Sequence, residues 1–181
     1  MDQFAKTVAI LLVVVASSSA SFAYDHSLAG QSASGLSAKK ADYILVEKNL
    51  RIMTLFHGYR AIKTYRISLG KNPEGPKQFE GDESTPEGHY RIVAKNSHSQ
   101  FYKSLKISYP NKQDIQRAKE VKKSPGGNIM IHAFPREWDW IGRMHLLLNW
   151  TDGCIAVTPD EMDEIWNLVG VGTPITIVPQ F

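Results

Sequence analysis

The chain has 181 residues, of which 43% are hydrophobic and 22% charged. That balance excludes a disordered polymer and suits one domain with a sizeable core. The formal net charge of +3 is too small to argue for nucleic acid and only mildly favours an anionic partner.

The first residues read as an address rather than as part of the fold. Lys6 and the amino terminus give a weakly positive start, residues 8–16 are an apolar run, and residues 17–23 are small and end in Ser-Phe-Ala. This is the pattern of a secretory signal with an A-x-A-like cleavage site. We expect residues 1–23 to be a signal peptide cleaved after Ala23, and the protein to be exported. An uncleaved anchor is the weaker reading, because the apolar core falls well short of the roughly 20 residues a span needs. Residues 24–40 are rich in Ser, Ala and Gly and read as a flexible linker, which leaves 41–181 as the domain.

Residues 42–48 and 51–56 are strand-like runs around Asn49, a hairpin signal. Residues 61–69 alternate apolar and polar, as a half-buried strand does. Gly70, Pro73, Gly75, Pro76 and Gly81 make 70–82 a loop. Thr85-Pro86-Glu87-Gly88 reads as a turn in which Glu87 is a solvated or hydrogen-bonding residue rather than a catalytic one, and 90–93 is a strand. His89 and His98 have no acid or cysteine at ligand spacing and receive no role. Residues 101–109 are part strand. Asn111 caps a helix over 111–122, with Asp114 at its third position; its lysines and arginine read as a solvated face. Ser124 to Gly127 breaks the chain before a buried strand that ends at His132. Residues 155–157 are again a strand. Thr158-Pro159-Asp160-Glu161 is a capping box with Pro at the first helical position. The helix it opens runs to about Val169, with Trp166 on its core face, and 174–178 is the last strand. The class is therefore mostly β with a few helices and long loops between strands.

Cys154 is the only cysteine. In an oxidising compartment structural cysteines come in pairs, so this one is either buried and inert or kept for its reactivity. It follows Thr-Asp-Gly and precedes Ile-Ala-Val, a polar turn running into a buried strand, and that placement favours reactivity. Gly153 permits the turn and leaves room for a substrate to approach the sulfur. A thiol there becomes a nucleophile if a histidine takes its proton. His132, at the end of an apolar strand, is the preferred base. His145 lies in an apolar-rich segment where a lone histidine is more often packing, and spacing alone does not decide between them. A metal site built from His132, His145, Asp152 and Cys154 lacks regular ligand spacing, so no metal is expected.

Ile131-His132, followed by Thr151-Asp152-Gly153-Cys154-Ile155-Ala156, resembles the signature of the L,D-transpeptidases, the YkuD-type catalytic domain. Ser68-Leu69-Gly70, Gly81-Asp82, Thr85-Pro86-Glu87-Gly88 and Tyr90 match that family too. The resemblance implies a mixed β-sheet fold with a Cys/His cleft, and an enzyme acting on peptidoglycan stem tetrapeptides in the periplasm or cell envelope. It implies Cys154 as nucleophile, His132 as proton donor and acceptor, and Gly153 as the turn beside them, with amides around Gly153 and Cys154 holding the oxyanion. No cofactor is implied. A thioacyl-enzyme would pass its acyl group to an amine, forming a crosslink or attaching a wall-anchored protein. The same fold also serves hydrolases, carboxypeptidases or amidases, and that is the second reading; a non-catalytic wall-binding protein is a third. The chain departs from many relatives at Ala133, Asp152 and Ala156. Thr151 is a candidate substrate contact. Arg136 and Arg143, lying with Trp138 and Trp140 between His132 and Cys154, are candidates to supply the missing positive charge, against a reading of that stretch as a packing lid. We expect a monomer.

Overall fold

The computed structural model describes residues 39–179. The expected signal peptide (1–23) and residues 24–38 of the expected linker lie outside the described residues. The strands are β1 (Tyr43–Glu47), β2 (Ile52–His57), β3 (Arg60–Arg66), β4 (Gly88–Ser99), β5 (Tyr102–Ile107), β6 (Met130–His132), β7 (Ile155–Ala156) and β8 (Pro174–Val178). Two α-helices are described, α1 (Lys112–Glu120) and α2 (Pro159–Leu168), with a 3₁₀ segment over Arg136–Leu147. The fold is mostly β, as the sequence reading expected.

All eight strands form one mixed sheet in the order β3-β2-β1-β8-β4-β5-β6-β7. Neighbours pair antiparallel except β1 with β8 and β6 with β7, which run parallel. Alternation drives the core: Ile44 and Val46 of β1 and Ile175 and Ile177 of β8 point inward, while their neighbours are only partly covered. Each such side chain, once buried, stabilises the fold by about 1.5–3 kcal/mol. Helix α2 opens with the expected capping box, Thr158 with Glu161, and Pro159 at its start; it buries Met162, Ile165 and Leu168. Helix α1 likewise carries the Asn111–Asp114 box.

The sheet curls until its two ends meet. Beyond β3 the chain continues to Ser68, which exchanges both backbone hydrogen bonds with Ala156 of β7, at 3.0 and 2.9 Å. Next to this bridge, Thr151 donates its N–H to the Leu69 carbonyl (3.2 Å) and accepts from the Lys71 N–H (2.9 Å). The turn before Cys154 is thereby tied to the far edge of the sheet.

Two elements differ from the sequence reading. Strand β4 runs on to Ser99 rather than stopping near Val93, because its outer half pairs with β5 while burying little apolar surface, so no alternation marks it. The stretch from Arg136 to Leu147 is not a plain loop but two 3₁₀ pieces joined at Gly142, whose φ of 47° breaks the helical run.

Candidate active site

Strands β6 and β7 set the two candidate groups, His132 and Cys154, beside one another. They pair parallel, with Ile131 beside Ile155 and His132 beside Ala156, and Val157 donates its N–H to the His132 carbonyl at 3.0 Å. Cys154 immediately precedes β7, two residues before Ala156, which sets it at the end of the strand that lies beside His132. Both line a groove of about 860 Å³. Its walls come from the 71–83 loop, the β4–β5 turn with Phe101, and the 126–130 stretch.

His132 is buried, and its ring is held on three sides. Nδ1 lies 2.6 Å from the Ala133 carbonyl oxygen. A carbonyl only accepts, so Nδ1 carries the proton and Nε2 is left as the bare, accepting nitrogen. The Phe101 ring stacks on the imidazole at 4.5 Å, and the Trp150 ring meets it edge-on at 5.8 Å. Burial pushes its pKa below the ordinary 6.5, with the Ala133 hydrogen bond opposing only in part. The imidazole is therefore neutral at neutral pH.

Cys154 is partly exposed in the groove, and its thiol donates to the Asn128 carbonyl oxygen at 3.7 Å. Burial raises its pKa above 9.0 and nearby Asp152 adds to that, against the lowering effects of a Met130 backbone hydrogen bond and of Lys77. Both shifts favour a neutral thiol beside a neutral imidazole over a thiolate–imidazolium pair.

The turn that presents the sulfur admits only glycine at position 153. Its φ is +125°, and a Cβ there would stand 2.6 Å from the Ser84 carbonyl oxygen. Thr151 clamps the same turn: its hydroxyl donates to the Cys154 carbonyl (2.7 Å) and accepts from the Gly153 N–H (3.2 Å). Thr151 is buried, so its hydroxyl serves the turn rather than a substrate. The opposite wall is pinned by Asp82, which accepts from the amides of Gln78, Phe79 and Ser84 and from Lys77 Nζ (2.6 Å). Behind that wall Lys48, fully buried, donates to Glu87 (2.7 Å) and to the carbonyls of Gly75 (2.6 Å) and Thr85 (3.0 Å). Glu87 is the hydrogen-bonding residue the sequence suggested, but its partner is a buried ammonium rather than solvent.

The other expected substrate contacts lie elsewhere. None of Arg136, Arg143 and Trp140 lines the groove. Arg136 is tied to Asp163 (2.7 Å) and to the Tyr102 hydroxyl (3.1 Å), joining the 3₁₀ segment to α2 and β5. Arg143 and Trp140 are exposed. His145 is buried against Phe134; burial lowers its pKa to about 4, and Ser68 Oγ donates to its carbonyl at 2.6 Å. It is a packing residue, as the sequence reading preferred, and does not line the groove with His132, Asp152 and Cys154. Sequence reasoning missed Phe101 and Trp150 as supports of the imidazole, and Lys71. The Lys71 ammonium lines the groove and bridges Asp152 (2.7 Å) and Glu83 (2.8 Å). No local pattern marks these three, since each acts across a long sequence separation.

Residues 41–177 match the YkuD family, described as the L,D-transpeptidase catalytic domain. Among curated proteins, the chain is 29% identical over 133 residues to "Putative L,D-transpeptidase YafK" of Escherichia coli K12, covering 70% of this chain and 46% of that protein. The chain thus spans about half the length of the curated relatives it matches. Among solved structures, it superposes on the helical cell shape determining protein Pgp2 of Campylobacter jejuni with a TM-score of 0.60 at 23% identity, covering 80% of this chain and 49% of that one. Bd1075 of Bdellovibrio bacteriovorus gives a TM-score of 0.54 at 24% identity, covering 78% and 48%. These structural likenesses speak for a shared fold.

Proposed function

The chain belongs to the L,D-transpeptidase catalytic-domain family, and from that premise we propose that it is a cysteine acyltransferase acting on peptidoglycan stem tetrapeptides in the cell envelope, its catalytic domain spanning 41–181. The observation that carries this reading is that His132, at the end of β6, and Cys154, just before the parallel β7, line one groove, with Nδ1 of the histidine already committed to Ala133.

Bare Nε2 takes the thiol proton as Sγ attacks the amide carbonyl before the terminal D-alanine. The carbonyl becomes a tetrahedral oxyanion. The Gly153 N–H is already engaged by Thr151, which leaves the Cys154 N–H to donate to it; one such donor is typically worth about 3 kcal/mol. The C–N bond breaks, His132 returns its proton to the leaving amine, and a thioester remains on Cys154. An acceptor amine, giving up its proton to His132, then attacks the thioester, forms the new amide and restores the thiol. Water in place of the amine yields the shortened stem, which is the hydrolase reading.

Mass spectrometry of the protein incubated with a tetrapeptide muropeptide tests the proposal. The expected result is an acyl adduct on Cys154 with release of D-alanine, followed by crosslinked dimers when an amine acceptor is present. Shortened monomers alone would assign the chain to the hydrolases, and no adduct on Cys154 would end the covalent mechanism.

The resting protonation states set the pH dependence. Protonating His132 removes the base, and its pKa lies below 6.5, so kcat/KM should rise with pH only below that value. Ionising the thiol leaves a neutral imidazole with no proton for the leaving amine, and the thiol pKa lies above 9.0, so activity should fall only above that value. A flat kcat/KM between about pH 7 and 8.5 is expected. A falling limb beginning near pH 8 would instead indicate a preformed ion pair.

A further inference from the structure

We propose that the 3₁₀ segment Arg136–Leu147 and the residues just after it form a two-fold contact with a second copy of this chain. Large exposed apolar side chains concentrate here. Trp138, Trp140, Met144, Leu147 and Leu148 all stand in solvent, with Trp140 76% and Leu147 74% exposed. Patches of this kind mark interaction surfaces.

The same stretch also carries a socket. Phe134, Trp138, Ile141, Met144, Leu148 and Trp150 are among the residues around a cavity of about 200 Å³. That size suits one large side chain. Trp140 and Leu147, on the same segment, are exposed and do not line it. Knob and socket on one surface, neither matched within the chain, are what a self-complementary contact requires, because in a two-fold arrangement each copy offers both.

The charges follow the same logic. Arg136 is consumed by Asp139, Asp160 and Asp163. Glu137 and Arg143 are exposed, opposite in sign, and take part in no ion pair among the described residues. Across a two-fold axis, Glu137 of one copy meets Arg143 of the other, and the reverse pair forms by symmetry. The inference rests on this segment alone and is independent of the reaction proposed above.

Sedimentation velocity of the full chain over a concentration series tests it. Wild type should show a concentration-dependent dimer, and Leu147→Glu should sediment as a monomer with an unchanged thermal transition. Glu137→Arg and Arg143→Glu, each on an exposed residue, should each weaken association by about tenfold, since each creates two like-charge contacts. The double swap, Glu137→Arg with Arg143→Glu, should restore it. A wild-type monomer at every concentration would overturn the proposal, whether or not the patch binds phosphatidylcholine–phosphatidylglycerol vesicles. A dimer that the double swap fails to restore would overturn it equally.

Discussion

Cys154→Ala is expected to abolish turnover of muropeptides while leaving the thermal transition within about 1 kcal/mol of wild type. Removing the nucleophile of a unit that acts together costs about 10⁴-fold or more in kcat. The residue is partly exposed just before a two-residue strand, and its sulfur makes only one long hydrogen bond, so little stability is at stake. Cys154→Ser is expected to be nearly as inactive, because a hydroxyl is far less acidic than a thiol and this imidazole is a weak base. His132→Gln should reduce acylation by a comparable factor while leaving the thiol open to small alkylating reagents. That pairing separates base from nucleophile. If His132→Gln acylates at the wild-type rate, the proton must leave by another route.

Lys48→Ala is expected to lower stability by about 3–5 kcal/mol, the cost of breaking a buried charge pair from one side. In a domain of this size that is a fall in Tm of roughly 10 °C or more. The ammonium is fully enclosed and serves three acceptors from the 75–87 stretch. Burial lowers the Lys48 pKa, opposed by the hydrogen bond and charge of Glu87, so the ammonium depends on that carboxylate to stay charged. Removing the lysine leaves the Glu87 carboxylate and two carbonyls without their donor. Glu87→Gln, which keeps an acceptor, should cost only about 1–3 kcal/mol. Activity should suffer as well. The Thr85 hydroxyl accepts from the Gly70 N–H at 2.9 Å, and the Ser84 carbonyl is what Gly153 packs against. Differential scanning calorimetry of both variants checks this, and an unchanged Tm for Lys48→Ala would refute it.

The contrast between Cys154 and Lys48 shows what the sequence exposes. Cys154 was legible because composition and local grammar agree there: a solitary thiol, a polar turn with glycine, then an apolar run. Both helices announced themselves through capping boxes, and the inner strands through alternation. Lys48 looked like the polar end of a strand, since a buried lysine is written no differently from an exposed one. Arg136 looked free because Asp163, its partner, lies a helix away in the chain. That His132 ends an apolar strand was readable from local context. Phe101 and Trp150, which hold the ring, were not, because nothing short of the folded sheet brings them to it.

The bridge between Ser68 and Ala156 has a temporal consequence. Contacts between remote parts of a chain close late in folding, after the entropy of the intervening loop has been overcome. The strand that follows Cys154 is latched by one of these, so a half-folded chain carries sulfur and imidazole but not their alignment. Alignment of the two groups thus waits on a long-range closure of the sheet rather than on any local turn.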